Sequence, residues 1–198
     1  MFHNFRLNKV VVPLTALAVV LTLACHKAQA QVKPFKITGE GVAPFGLPLP
    51  GQAPRTHTIV GNATHLGRHS GVGTVRTDSA AFDPATGKIT GEFGSGSPFV
   101  FTGADGDELV CYYGRTAFGA SAPGTFELNI LGVLPDGSLV VEALFIAEFV
   151  AQPDECTGKF AGVTGSWVMY AITEPFVLGS DDPINYSWQG QGSLTFKK

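Results

Sequence analysis

The sequence predicts an all-β chain folded as a single antiparallel barrel of about eight strands. Three observations carry that expectation. From Lys33 onward, short β-rich segments recur at near-regular spacing, and no segment shows a convincing helical period. The 25 Gly and 13 Pro fall largely between or beside those segments, as turn and bulge residues do. Charged residues make up only 15% of the chain against 44% hydrophobic, and several segments are apolar on both faces. A one-sided sheet would leave such strands half wet. A closed barrel with a filled interior, its outer apolar face covered by loops or another subunit, buries them. The same composition excludes a long coiled coil, collagen and a disordered chain.

The elements follow in order. Phe35 to Gly41 alternates apolar and polar residues, as a half-buried strand does. Pro44 to Gly51 contains three prolines that deny ladder hydrogen bonds, and reads as a loop or edge cover. Arg55 to Leu66 and Gly67 to Thr77 are two strands meeting near Asn62 and Gly67. Asp83-Pro84-Ala85-Thr86-Gly87 is a turn. Lys88 to Phe93 and Pro98 to Gly103 read as a further pair, separated by Gly94-Ser95-Gly96. Asp105-Gly106 supplies a tight hairpin into Glu108–Tyr113. Thr125 to Gly132 precedes the Pro135-Asp136-Gly137 turn. Ser138 to Val150 is long enough for a helix, but its Val, Ile and Phe content and the adjacent turn favour a strand. Ser166 to Thr173 and Tyr186 to Phe196 complete the set.

Residues 1–30 read as a secretory leader. Arg6 and Lys9 precede an apolar run from Val10 to Ala24, and Ala28-Gln29-Ala30 forms an A-x-A cleavage pattern. The run contains Pro13 and is shorter than the ~20 residues of a spanning helix, so no transmembrane segment is expected in the mature chain. A competing reading begins the mature chain at Cys25 as a lipid anchor; Leu23 then sits where a small residue is usual. The expected location is secreted or periplasmic, with residues 31–198 forming one barrel domain. Arg6, Lys9 and Lys27 belong to the leader while all 16 Asp and Glu lie beyond it, leaving the mature domain acidic. Without a basic patch or run, nucleic acid is not an expected partner.

With Cys25 in the leader, Cys111 and Cys156 remain, and in an exported domain two cysteines most simply form one disulfide. Such a bond would close a loop of roughly 45 residues and contribute about 3–4 kcal/mol on the chain-entropy account. Two separate buried thiols are the alternative.

Catalytic constellations are not legible. His57, His65 and His69 are the histidines beyond the leader, but four residues of strand span about 13 Å, so His65 and His69 would not share a metal ion. His65 is expected to hydrogen-bond within the fold beside Thr64. Glu142 and Glu148 share one strand face, yet lie ~20 Å apart, too far for a two-carboxylate site. Each is expected at the rim or paired with Arg68, Arg76 or Arg115. Asp105, Asp107 and Glu108 lack an EF-hand loop and read as hairpin capping. Gly71-Val72-Gly73 and Gly94-Ser95-Gly96 lack the ending of a phosphate loop and read as turns or bulges. Tyr112, Tyr113, Trp167, Tyr170, Tyr186 and Trp188 are the aromatics that would either line a barrel mouth for an apolar ligand or fill the interior.

Three segments carry a resemblance. Gly61-Asn62-Ala63-Thr64-His65-Leu66-Gly67-Arg68, Phe101 to Leu109 and Thr157 to Trp167 together resemble motifs of exported bacterial calycin-like β-barrel proteins. The third is also similar to plant dirigent proteins and allene oxide cyclases, which share an eight-stranded barrel. The resemblance spans roughly residues 55 to 196, and its motifs are glycines and turn residues, which specify fold more than activity. Glu155-Cys156 departs from the usual Gly-Gly, in keeping with an added disulfide. No residue matches the catalytic positions of the plant enzymes, so their activity does not carry over.

The expected function is accordingly an exported, non-catalytic barrel that binds a small apolar or aromatic ligand or a protein surface, without a cofactor and with a homo-oligomer as a candidate assembly. The alternatives are a cyclase-like isomerase with a steering cavity, or a structural assembly subunit. The ligand-binding residues cannot be named from sequence.

Overall fold

A computed structural model describes residues 30–114 and 122–197. The expected leader, Cys25 included, lies outside the described residues apart from Ala30, and so does Arg115. The described chain is almost wholly antiparallel β: β1 (Gln31–Ala43), β2 (Arg55–Ala63), β3 (Gly67–Asp83), β4 (Lys88–Gly103), β5 (Glu108–Tyr113), β6 (Gly124–Val133), β7 (Leu139–Ala151), β8 (Thr164–Thr173), β9 (Phe176–Val177) and β10 (Ile184–Phe196). A single 3-10 turn at Gly158–Phe160 lies between β7 and β8. Among the described residues no helix is long and apolar enough to cross a membrane.

The strands close into a ring. Neighbours run β3, β2, β1, β10, β8, β7, β5, β4, and β4 returns to β3. One of the eight staves is split. Between β4 and β7, one half is filled by β5, which pairs Phe99–Thr102 and Phe149–Ala151. The other half is filled by β6, which pairs Lys88–Phe93 and Leu139–Ile146. The barrel expected from the strand spacing is therefore the observed fold.

One element differs. Lys88–Phe93 and Pro98–Gly103 are not two strands but the two halves of β4. Gly94-Ser95-Gly96 does not turn the chain; it absorbs register shifts against β3, where Thr74 faces Ser97 but Val75 faces Ser95. Ser95 also explains its own burial. Its hydroxyl donates to the Tyr113 carbonyl at 3.0 Å and accepts the Tyr113 N–H at 3.3 Å, holding the end of β5 where the ladder to β4 stops.

The interior is packed with rings. Tyr113 stacks on Phe149 at 4.7 Å and Phe149 on Trp167 at 5.3 Å, with Phe35 tilted against Trp167 at 4.8 Å. Phe99 and Phe101 lie beside this column, 4.5 Å apart. So many rings fit because inward positions on adjacent strands are glycine. A Cβ at Gly73 would come within 2.5 Å of the Phe99 ring, and one at Gly124 within 2.6 Å of the Phe93 ring. These glycines make room within strands as much as they mark turns.

One end of the barrel is plugged. Leu66, Phe160 and Val163 are buried there. Thr157 clasps β5 by donating its N–H to the Glu108 carbonyl at 3.0 Å and accepting the Glu108 N–H on its hydroxyl at 3.1 Å. Lys159 bridges Asp105 at 2.5 Å and Asp107 at 3.4 Å. All three segments of the sequence resemblance meet at this end. The opposite end is covered by the proline loop after β1, in which Pro48 is fully buried. Arg55 donates to the Phe45 carbonyl and pairs with Asp181 at 2.8 Å, tying that loop to the β9–β10 connection.

Candidate functional site

Strand parity decides what enters the barrel. On β2, His57 shares its face with the buried Ile59 and with Gly61, so its ring points inward. Tyr113 ends β5 on the same face as Leu109 and Cys111. Tyr186, near the start of β10, reaches over Gly41 of β1, where a Cβ would come within 2.2 Å of its ring. These three side chains come from widely separated strands and meet beneath the proline loop.

Their hydrogen bonds form one directed chain. The Tyr113 hydroxyl lies 2.9 Å from the Thr74 carbonyl, which can only accept, so Tyr113 donates its single hydrogen there. His57 Nε2, at 3.1 Å, must therefore carry a hydrogen and donate to the Tyr113 oxygen. His57 Nδ1 is then the bare nitrogen, and the Tyr186 hydroxyl donates to it at 2.8 Å. The network itself assigns the Nε2–H tautomer.

The chain is uncharged at neutral pH. Burial pushes the His57 imidazolium down to a pKa of about 4. Burial also pushes both phenols up, Tyr113 further raised by the neighbouring Tyr186. Phe99 meets His57 edge-on at 5.0 Å.

A cavity of about 50 Å³ adjoins the chain, enough for a few waters. Its apolar wall includes Ala43, Leu47, Val75, Phe93, Phe145 and Met169, and among the described residues no charged side chain lines it. Thr173 adds a fourth polar group. Leu47 and Phe145 also line a second space of about 60 Å³ under the proline loop, so they form the partition between the two. On the inner side of His57 the barrel is nearly full, with about 20 Å³ left between Phe99, Met169 and Trp188.

The residues singled out in the sequence fall as follows. Tyr113, Tyr186, Trp167 and Trp188 are interior, whereas Tyr170 is exposed. Among the described residues His65 makes no side-chain hydrogen bond beside Thr64; it occupies a turn at φ 68°, with its ring 5.4 Å from Phe196. Thr64 makes the turn's bonds instead, accepting the Lys36 N–H at 2.9 Å and donating to its carbonyl at 3.1 Å. His69 is buried, donates from Nδ1 to the Gly67 carbonyl at 3.2 Å and leaves Nε2 without a partner among the described residues. Glu142 and Glu148 lie on the outer face of β7, opposite Asn129 and Val168. Arg76 pairs with Asp78 at 2.7 Å. Among the described residues, no group of three or more His, Cys, Asp and Glu is placed to hold a metal ion.

Cys111 and Cys156 are both buried and both present as thiols. Cys111 points inward, while Cys156 Sγ lies against the backbone of the adjacent Val110, 3.3 Å from its nitrogen. Burial pushes both thiols up.

The sequence reading missed His57 as the centre of the site, having weighed it only as a metal ligand. Its parity with Ile59 was the available signal. The fold so defined is that of a closed antiparallel barrel with one plugged end and one lidded, neutral cavity. In comparisons with known proteins, no family model, no curated protein and no solved structure matches the chain.

Proposed function

We propose that this protein is an exported, non-catalytic barrel that takes up a small apolar ligand beneath the proline loop. The observation that carries the reading is the mouth cavity itself, apolar over most of its wall and polar only at the His57 chain and Thr173. Leu47 stands between two spaces that would merge around a single ring if the loop shifted. Catalysis by His57 is disfavoured on physical grounds. Its bare nitrogen is occupied by Tyr186, its pKa of about 4 is far from neutral, and among the described residues no carboxylate lines the cavity. The resemblance to calycin-like exported barrels is compatible with ligand binding, and the A-x-A leader supports export.

Ligand uptake is tested by thermal shift and native mass spectrometry on the purified protein with single-ring aromatic and alicyclic compounds. Binding lost on Ala43→Phe, with the fold retained by circular dichroism, supports the cavity. No binding by the parent protein counts against it. Export would bring Cys111 and Cys156, the latter with its Sγ against the backbone of neighbouring Val110, into an oxidising compartment that favours a disulfide between them.

A second reading, a protein-binding or self-associating surface, rests on the exposed Val168, Tyr170 and Ile172 of β8. Sedimentation velocity distinguishes a monomer from an assembly.

A further inference from the structure

The ring leaves one long strand edge open. β2 pairs with β3 only as far as Val75, so among the described residues Arg76–Asp83 meets a strand on the β4 side alone. Thr77 faces Phe93 and Ser79 faces Glu92, which makes Asp78 the extra residue of a bulge and leaves Ser79–Asp83 as the regular edge. Phe82 lies near its end and is 57% exposed. Ile89, directly opposite on β4, covers one flank of Phe82; the other flank is the open edge. Ala80, on the same strand face, lines the space under the proline loop together with Leu49, itself exposed.

We propose that two copies of this chain join edge to edge through β3, antiparallel about a two-fold axis at Ala81, so that each Phe82 packs on Ala80 of the partner subunit. Outward N–H and C=O groups come from every second residue of an edge strand, so a two-fold pairing joins residues of one parity and its axis passes through a residue. An axis at Ala80 would set Phe82 against Asp78 of the partner subunit. An axis at Phe82 would run Ala80 into Pro84 of the partner subunit, which has no N–H to give. With the axis at Ala81, Phe82 meets the small Ala80 beside Leu49, Asp83 meets Ser79, and no acid faces an acid. Asp83 is also held by its own turn, accepting the Ala85 N–H at 2.9 Å and the Thr86 hydroxyl at 2.8 Å, while Asp78 pairs with Arg76 at 2.7 Å. Other unpaired stretches are blunted: residues 31–35 of β1 carry Lys33 and Pro34, and residues 130–133 of β6 are broken by a register shift. The seam is short, so the dimer is expected to be micromolar and reversible.

The test is sedimentation velocity on residues 31–198, which hold every described strand, up to millimolar protein. A monomer–dimer equilibrium is expected. Phe82→Ser should raise its dissociation constant about a hundredfold, roughly tenfold from each copy, and Tyr170→Ser on β8 should leave it unchanged. Register is read with Ala81→Cys, which the axis places opposite its own copy within disulfide reach, against Thr90→Cys, its neighbour on the covered strand β4. With diamide as oxidant, Ala81→Cys should cross-link into dimers about tenfold faster than Thr90→Cys or more. A chain that stays monomeric, a dimer whose affinity survives Phe82→Ser, or equal cross-linking of the two cysteine variants overturns the proposal. The cross-linking comparison stands on its own if Phe82→Ser does not fold.

Discussion

Tyr186 lies flat over Gly41, so closely that a Cβ at position 41 would fall within 2.2 Å of its ring and 2.5 Å of its hydroxyl oxygen. The strand that carries the glycine and the strand that carries the tyrosine are direct neighbours, and the two residues face each other in register. The position of the His57 chain therefore depends on an absent methyl group. Gly41→Ala is expected to destabilise the fold by about 1–3 kcal/mol through overpacking, and to weaken ligand uptake as Tyr186 is displaced. Gly132→Ala, where a Cβ meets open space, is the control and should change stability by less than about 0.5 kcal/mol. Urea unfolding of both variants provides the comparison.

Stability should rise with pH between about 4 and 6.5. His57 titrates near 4 in the folded chain and near its ordinary 6.5 when unfolded. Across that window the unfolded state binds the extra proton, so stability is lost as pH falls through it and is full above it. The span corresponds to up to about 3 kcal/mol. Tyr113, Tyr186 and Phe99 are the groups that pack against His57, and none is charged at these pH values. His69 shifts in the same direction, so His57→Phe should flatten the slope without abolishing it. Urea melts from pH 4 to 7 on both proteins measure the difference.

Residues 31–198 prepared under reducing conditions should carry two thiols, Cys111 and Cys156, that resist a thiol reagent until denaturant is added, because both are buried with pKa values raised by burial. Protein recovered after export should carry none and weigh two hydrogens less, if the expected bond forms. Mass spectrometry with and without reductant separates the two states.

Arg55 is the latch of the mouth loop, through the Phe45 carbonyl and Asp181. Arg55→Ala should speed amide exchange over residues 44–54 several-fold. Global stability should fall by only about 1 kcal/mol, since Asp181 is largely exposed.

Leu47→Ala should join the two mouth spaces, at a cost of about 2 kcal/mol or less because Leu47 is only half-buried. Tighter uptake of single-ring ligands, seen as a larger thermal shift than the parent shows, is the expected outcome.

Most of the barrel was legible in the sequence because strand alternation and turn chemistry are local. The Asp105-Gly106 hairpin and the long strand at Leu139–Ala151 were readable in that way. The split stave was not, since nothing local says that β5 and β6 divide one position between β4 and β7. The familiar segments led to the plugged end, where Lys159 and Thr157 lock the hairpin, and away from the mouth. The His57 chain was hidden for a physical reason. Its members lie at positions 57, 113 and 186, and only ring closure brings them together.

The pairing of β1 with β10 also sets an order of events. All thirteen residues of the first strand face the last, from Gln31 opposite Phe196 to Ala43 opposite Ile184, while Ile37–Val42 pair with β2 as well. Until β10 is available, one seam of the wall stands unpaired and Tyr186 cannot reach His57. Folding is thus governed by a contact at nearly the greatest possible sequence separation, which slows it. Ala43 of β1 and Ile184 and Tyr186 of β10 all line the mouth cavity, so the cavity is completed only when that seam has closed.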